Sequence, residues 1–117
     1  MNQNREIGIL GEKIASDYLK KIGYVIIQRN FMCRQGEIDI IAQDKDEKVF
    51  IEVKTRTNLK YGLPIEAVTP IKQKHIKEAV KYYLYKKSIR NEYIRIDVIE
   101  VYLNESKQRI NHIKQIL

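Results

Sequence analysis

The chain has 117 residues, 44% of them hydrophobic and 32% charged, which suits one domain with one core over residues 1–117 and excludes a disordered chain. No apolar run nears the roughly 20 residues of a membrane span and the N-terminus carries nothing like a signal peptide, so a cytoplasmic protein with no membrane partner is expected. Twenty-two Lys and Arg against fifteen Asp and Glu give +7, which favours an anionic partner, nucleic acid first among them, or else serves solubility alone; the single cysteine, Cys33, excludes an internal disulfide and a multi-thiolate zinc site.

Between residues 5 and 22, Ile7, Leu10, Ile14, Ala15, Tyr18, Leu19 and Ile22 recur at helical spacing, and Gly23 follows where a left-handed cap is wanted. This predicts a first helix. Residues 24–29, 36–43 and 48–56 are strand-like runs, the last two joined by the polar turn DKDEK. The stretch 56–68, RTNLKYGLPIEAV, is the one substantial loop. Thr69 then reads as an N-cap with Pro70 at the first helical position, and Ile71, His75, Ala79, Val80, Tyr83 and Leu84 mark one face of a second helix. Residues 93–103 form a last strand, and NESK turns the chain into a short C-terminal addition, RINHIK. The order is αβββαβ. A helix between the third and fourth strands requires a crossover, so those strands should be parallel, while the DKDEK turn makes the second and third antiparallel. The expectation is an α/β fold with a mixed central sheet flanked by helices.

Alternation along GEIDIIA puts Glu37 and Asp39 on one face and Ile38 and Ile40 on the other; along VFIEVKT it puts Glu52 and Lys54 together. With the hairpin centred between Lys45 and Asp46, Asp39 would oppose Glu52 and Glu37 would oppose Lys54. Directly opposed side chains have Cβ atoms about 5 Å apart, close enough for both carboxylates to bind one hard cation such as Mg²⁺ or Mn²⁺. The same residues also read as ordinary cross-strand ion pairs, Glu37 with Lys54 and Asp39 with a nearby arginine. Arg56 continues the Glu52–Lys54 face and could grip a phosphate, or pair with Glu37.

An acid followed by a strand bearing Glu-x-Lys, within an αβββαβ order, resembles the PD-(D/E)XK (restriction-endonuclease-like) nuclease superfamily. More closely, GEKIASDYL, GYVIIQRN, GEIDIIA, FIEVKTR, YGLPIEAVTPIK and RIDVIEV resemble the YraN-like family of small bacterial proteins placed in it, over about Arg5 to Ile113. The resemblance implies a metal bound by Asp39, Glu52 and the main-chain carbonyl of Val53, with Lys54 beside the attacked phosphate. Ile38 stands where the superfamily's motif has proline. Related nucleases often carry a first-helix glutamate near the metal, and Glu12 falls at the edge of the apolar stripe where it could overhang the sheet, or else be an exposed helix residue.

Lys72 matches a lysine at the start of the family's second helix, where a cation and the helix terminus could hold a phosphate. Lys74, Lys77 and Lys81 extend that helix as a basic surface for a nucleic-acid backbone, or as a solvated face. Tyr61 and Gly62 lie in the loop that could touch substrate. The function expected is a divalent-metal-dependent DNA endonuclease, with branched or junction DNA suggested by analogy and a homodimer required to cut two strands symmetrically. The alternative is a nucleic-acid-binding module with little or no cleavage.

Overall fold

The computed structural model describes residues 3–57, 69–104 and 107–116. The elements are α1 (Gln3–Lys21), β1 (Val25–Cys33), β2 (Gly36–Asp44), β3 (Glu47–Arg56), α2 (Pro70–Lys86), β4 (Tyr93–Asn104) and β5 (Lys107–Ile113). The five strands form one sheet in sequence order, with β3 and β4 parallel and every other neighbouring pair antiparallel. The mixed sheet follows the reading from turns and crossover. The C-terminal addition is itself a strand, forming the edge beside β4.

Both helix boundaries lie where local chemistry puts them. Gly23 has φ of 100°, its N–H donates to the Lys20 carbonyl at 3.1 Å, and the Tyr24 N–H donates to the Leu19 carbonyl at 2.9 Å. That left-handed turn satisfies two of the carbonyls a helix end leaves open, which is why glycine suits it. At the start of α2, the Lys72 N–H donates to the Thr69 hydroxyl at 3.2 Å, and Pro70 occupies a position whose N–H would have had no intrahelical partner.

One helix covers each face of the sheet. Ala15 and Leu19 of α1 pack on Ile40, Ala42, Val49, Ile51, Ile99 and Val101. On the other face, Ile76, Ala79, Val80 and Tyr83 of α2 pack on Phe31, Ile38, Ile41, Phe50, Ile96 and Val98. Leu10, Ile22, Ile71 and His75, expected on the buried stripes, are exposed, and Ile76 takes the place assigned to His75. The buried arc of α2 is centred on 76, 79, 80 and 83, and at about 100° per residue both Ile71 and His75 fall beyond its margins.

The hairpin is centred as predicted, with Asp44 opposite Glu47 and Ile41 opposite Phe50. Alternation then fails. Ile38 packs with Ile41 on the α2 side instead of with Ile40 on the α1 side, so the two-residue period breaks at Asp39. In β1 the register shifts between Ile26 and Gln28, a bulge that carries the strand on to Cys33, well past the predicted end.

The last strand is fastened by buried polar groups. Arg95 Nε donates to Asp97 Oδ1 at 3.0 Å, and Arg95 also reaches Glu47 and the Tyr24 hydroxyl, each at 2.7 Å. His112 of β5 lies 2.8 Å from Asp97 through Nε2 and 3.0 Å from the Tyr18 hydroxyl through Nδ1. That chain of contacts ties α1, β4 and β5 together.

Candidate metal and phosphate site

The β2–β3 ladder ends at Ile40 and Ile51, so the opposed pairs expected beyond it, Asp39 with Glu52 and Glu37 with Lys54, are not ladder partners. A side chain takes over instead. The Val53 N–H donates to Asp39 Oδ2 at 2.8 Å, drawing the carboxylate into the seam between the strands. The N–H and C=O of one strand residue project toward the same edge, so the Val53 carbonyl is directed at this seam as well.

A cleft of about 520 Å³ opens here, lined by Glu12, Glu37, Asp39, Glu52, Lys54 and Lys72 among others. Glu12 reaches it because α1 lies very close to β3: a Cβ on Gly11 would collide with the Thr55 side chain. Only glycine permits that approach, and the next residue brings its carboxylate to the sheet. Oxygens of Glu12, Glu37 and Asp39 lie within 4.8 Å of one another. Glu52 faces two ammonium groups, with Lys72 Nζ at 3.0 Å and Lys54 Nζ at 3.3 Å from its Oε2.

The structure thus brings Asp39, Glu52, Val53, Lys54, Glu12 and Lys72 to one place, but partners them differently from the expectation. The acids nearest Asp39 in cation-binding geometry are Glu12 and Glu37, while Glu52 is engaged by lysines. Glu37 is the residue that sequence reasoning missed, having been assigned only to ion pairing. Its signal was there: GEID places it two residues from Asp39.

The charges record the crowding. Burial and the neighbouring Glu52 push Asp39 up from 3.8 to about 8, with Glu12 and Glu37 adding to the effect and the Val53 N–H opposing it. Burial and Glu37 likewise raise Glu12, against Arg29, whose Nη2 lies 4.0 Å away. Lys54 is lowered by burial and by Lys72, against Glu52. Lys72 is raised: burial, the largest single influence, works against its charge, but Glu52 together with Lys54 and Asp39 outweighs it. Clustered carboxylates that resist ionisation offer a hard, oxygen-only donor set, and such a set fits Mg²⁺ or Mn²⁺.

Arg56 lines the cleft, and its buried Nε has no hydrogen-bond partner among the described residues. The suggested pairing with Glu37 is not among the ion pairs of the described residues. Lys74, Lys77 and Lys81 are exposed, and at about 100° per residue they cluster on the helix face turned away from Lys72. The four lysines are therefore not one surface: Lys72 belongs to the cleft and the other three to the outer face. Tyr61 and Gly62 lie outside the described residues.

These features define a small α/β protein whose mixed five-stranded sheet opens, between an antiparallel pair, into a cleft of carboxylates and lysines. The chain belongs to the family described as "Uncharacterised protein family UPF0102", whose model matches residues 11–101. A "UPF0102 protein" of Clostridium botulinum (strain Loch Maree / Type A3) is 56% identical over 102 residues, spanning 86% of this chain and 83% of the relative. One from Caldicellulosiruptor saccharolyticus is 49% identical over 100 residues, spanning 86% of this chain and 85% of its own. Among solved structures, SSO0001 aligns over 94% of this chain and 50% of its own, at 22% identity and a TM-score of 0.37, too loose a match to carry an argument. No helix among the described residues is long and apolar enough to cross a membrane.

Proposed function

We propose that the protein is a divalent-metal-dependent phosphodiesterase of the PD-(D/E)XK kind, cutting DNA as an endonuclease. The observation that carries this reading is the meeting of Glu12, Glu37 and Asp39 within 4.8 Å, beside a Glu52 flanked by two lysines. Glu52 has its two lysines, but burial and mutual repulsion raise Asp39 and Glu12 even with Arg29 beside Glu12, and a cation among Glu12, Glu37 and Asp39 would relieve that crowding. Asp39 would hold Mg²⁺ or Mn²⁺ centrally, with Glu12, Glu37, Glu52 and the Val53 carbonyl around it. Such an ion polarises a phosphate oxygen and lowers the pKa of bound water.

The chain's own groups do the rest. Lys72, in the first turn of α2, adds its ammonium to the positive helix end and draws in a non-bridging phosphate oxygen. Lys54, half-buried and less basic than a free lysine, orients the attacking water in line with the P–O3′ bond. Glu52 fixes both ammonium groups through one oxygen, so their separation is set before substrate arrives. The exposed Lys74, Lys77 and Lys81 supply charge for a nucleic-acid backbone away from the cleft. A homodimer and a branched-DNA substrate fit this reading by analogy.

The test is incubation of the purified chain with labelled duplex, single-stranded and four-way-junction DNA in Mg²⁺, Mn²⁺ or EDTA. Cleavage should require the metal and be abolished by Glu52→Ala and by Lys54→Ala, with folding and most binding retained. Metal-dependent cleavage that persists in both variants would place the activity elsewhere and overturn the reading. Binding without cleavage under every condition would favour a nucleic-acid-binding module.

A further inference from the structure

The β3–β4 register sets Arg56 beside Tyr102, and the β4–β5 register sets Tyr102 beside Arg109. Partners in a ladder point to the same side of a sheet, so these residues form a row across three strands, on the face that Glu52 and Lys54 share. The row starts in the cleft, which Arg56 lines, and ends at Arg109, exposed on the edge strand.

Tyr102 and Arg109 are held in place, and both arginines have donors to spare. The Arg109 guanidinium stands 4.4 Å from the centroid of the Tyr102 ring, a stacking that fixes a side chain otherwise rich in rotamers. The Tyr102 hydroxyl donates at 3.3 Å to the fully buried Glu100, whose other oxygen accepts from Asn111 at 2.8 Å. Burial and Glu100 push that hydroxyl up while Arg109 and Arg56 pull it down, so both guanidinium groups act on it. Among the described residues neither arginine shares an ion pair with a carboxylate, and Arg56 Nε is buried without a partner. Two guanidinium forks with no acid beside them among the described residues, one of them preorganised by stacking, suit an anion with planar or tetrahedral oxygens.

The spacing names the kind of anion. Neighbouring strands lie about 4.8 Å apart, so the two arginine backbones are separated by about 10 Å. A stacked nucleic-acid strand covers that distance in about three nucleotides, at 3.4 Å each. The Tyr102–Arg109 stack also offers a flat, cationic surface on which an unpaired base can rest.

We infer that Arg56, Tyr102 and Arg109 form a track that leads one unpaired nucleic-acid strand from the cleft to the β5 edge. This rests on the phosphodiesterase reading, and it adds that the substrate is single-stranded on one side of the cleaved bond.

The test measures binding of a fluorescent single-stranded oligonucleotide and of a blunt duplex in EDTA, where no cleavage competes, over a series of salt concentrations. Arg109→Ala should weaken single-strand binding about tenfold, the size of one charge-assisted contact, and flatten the log–log salt slope by about 0.7. Duplex binding should change less. Lys20→Ala, which removes one exposed charge at the far end of α1, should leave both nearly unchanged. Arg109→Lys should restore charge and salt slope but only part of the affinity, because an ammonium does not stack or fork. Equal effects of Arg109→Ala and Lys20→Ala, or equal loss for duplex and single strand, would overturn the track. If the wild type cleaves DNA while Arg109→Ala binds normally, the track falls and the phosphodiesterase stands. If Arg109 governs strand binding but no metal supports cleavage, the chemistry falls and the track stands. If the wild type binds no nucleic acid, both fall.

Discussion

Replacing Asp39 with asparagine should stabilise the metal-free protein, and the gain should depend on pH in a defined direction. Asparagine keeps an oxygen to accept from the Val53 N–H and removes the charge that burial, first, and then Glu52, Glu12 and Glu37 oppose. Because the folded-state value is raised from 3.8 to about 8, neutral Asp39 is the form the fold favours. Its stabilising contribution is complete below about pH 4 and is lost as pH rises through 8. That displacement corresponds to about 6 kcal/mol if Asp39 bore all of it. The neighbouring acids share the repulsion, so one substitution should recover about 1–3 kcal/mol, or roughly 5–10 °C in Tm for a domain of this size. Thermal melts in EDTA from pH 4 to 9 should show wild type and Asp39→Asn together at the acid end and diverging toward pH 8, with the variant higher. Millimolar Mn²⁺ should raise the wild type and close the gap, since a ligand that binds only the folded state stabilises it by mass action. A variant less stable than the wild type by a constant margin at every pH would refute the reasoning.

Gly11→Ala should force α1 away from Thr55, costing about 1–3 kcal/mol in chemical denaturation and weakening Mn²⁺ binding by calorimetry as Glu12 moves off; Thr55→Ala in the same chain should recover part of both. Arg95→Ala leaves Asp97 buried with His112 as its remaining side-chain partner and should cost about 3–5 kcal/mol by urea titration, with little effect on metal affinity. Lys72→Ala should slow turnover at saturating DNA, whereas Lys74→Ala, Lys77→Ala and Lys81→Ala combined should leave turnover intact and flatten the salt dependence of binding. The reverse pattern would mean that the outer face of α2, and not its first turn, meets the reacting phosphate.

Much of this architecture is written in short-range chemistry. Gly23 stops α1, Thr69 and Pro70 start α2, and the polar turn centres the hairpin at Lys45 and Asp46, because each rests on backbone rules that act over a few residues. The crossover through α2 made β3 and β4 parallel. What local pattern could not supply is the point where a ladder stops. Extending alternation past Ile40 put Asp39 against Glu52, but Asp39 binds the Val53 N–H and the strand period breaks, which brings Glu37 toward Glu12. Helical spacing placed Glu12 only at a stripe's margin; the close contact of Gly11 with Thr55, a tertiary fact, makes it a cleft residue. The lysines of α2 looked like one basic run because they were read along the chain; helical spacing already separates Lys72 from the other three, and only the tertiary contact with Glu52 shows that Lys72 is the one that faces the sheet.

The Tyr18–His112–Asp97 chain gives the carboxy-terminal strand a reach well beyond its own position. Tyr18 and Glu12 ride on the same rigid rod, so whatever loosens the tail also loosens the proposed metal ligand midway along that rod. A nick or a short deletion near His112 should thus be felt as weaker cation capture long before the sheet itself comes apart, and a fusion partner is better attached at the other end of the polypeptide.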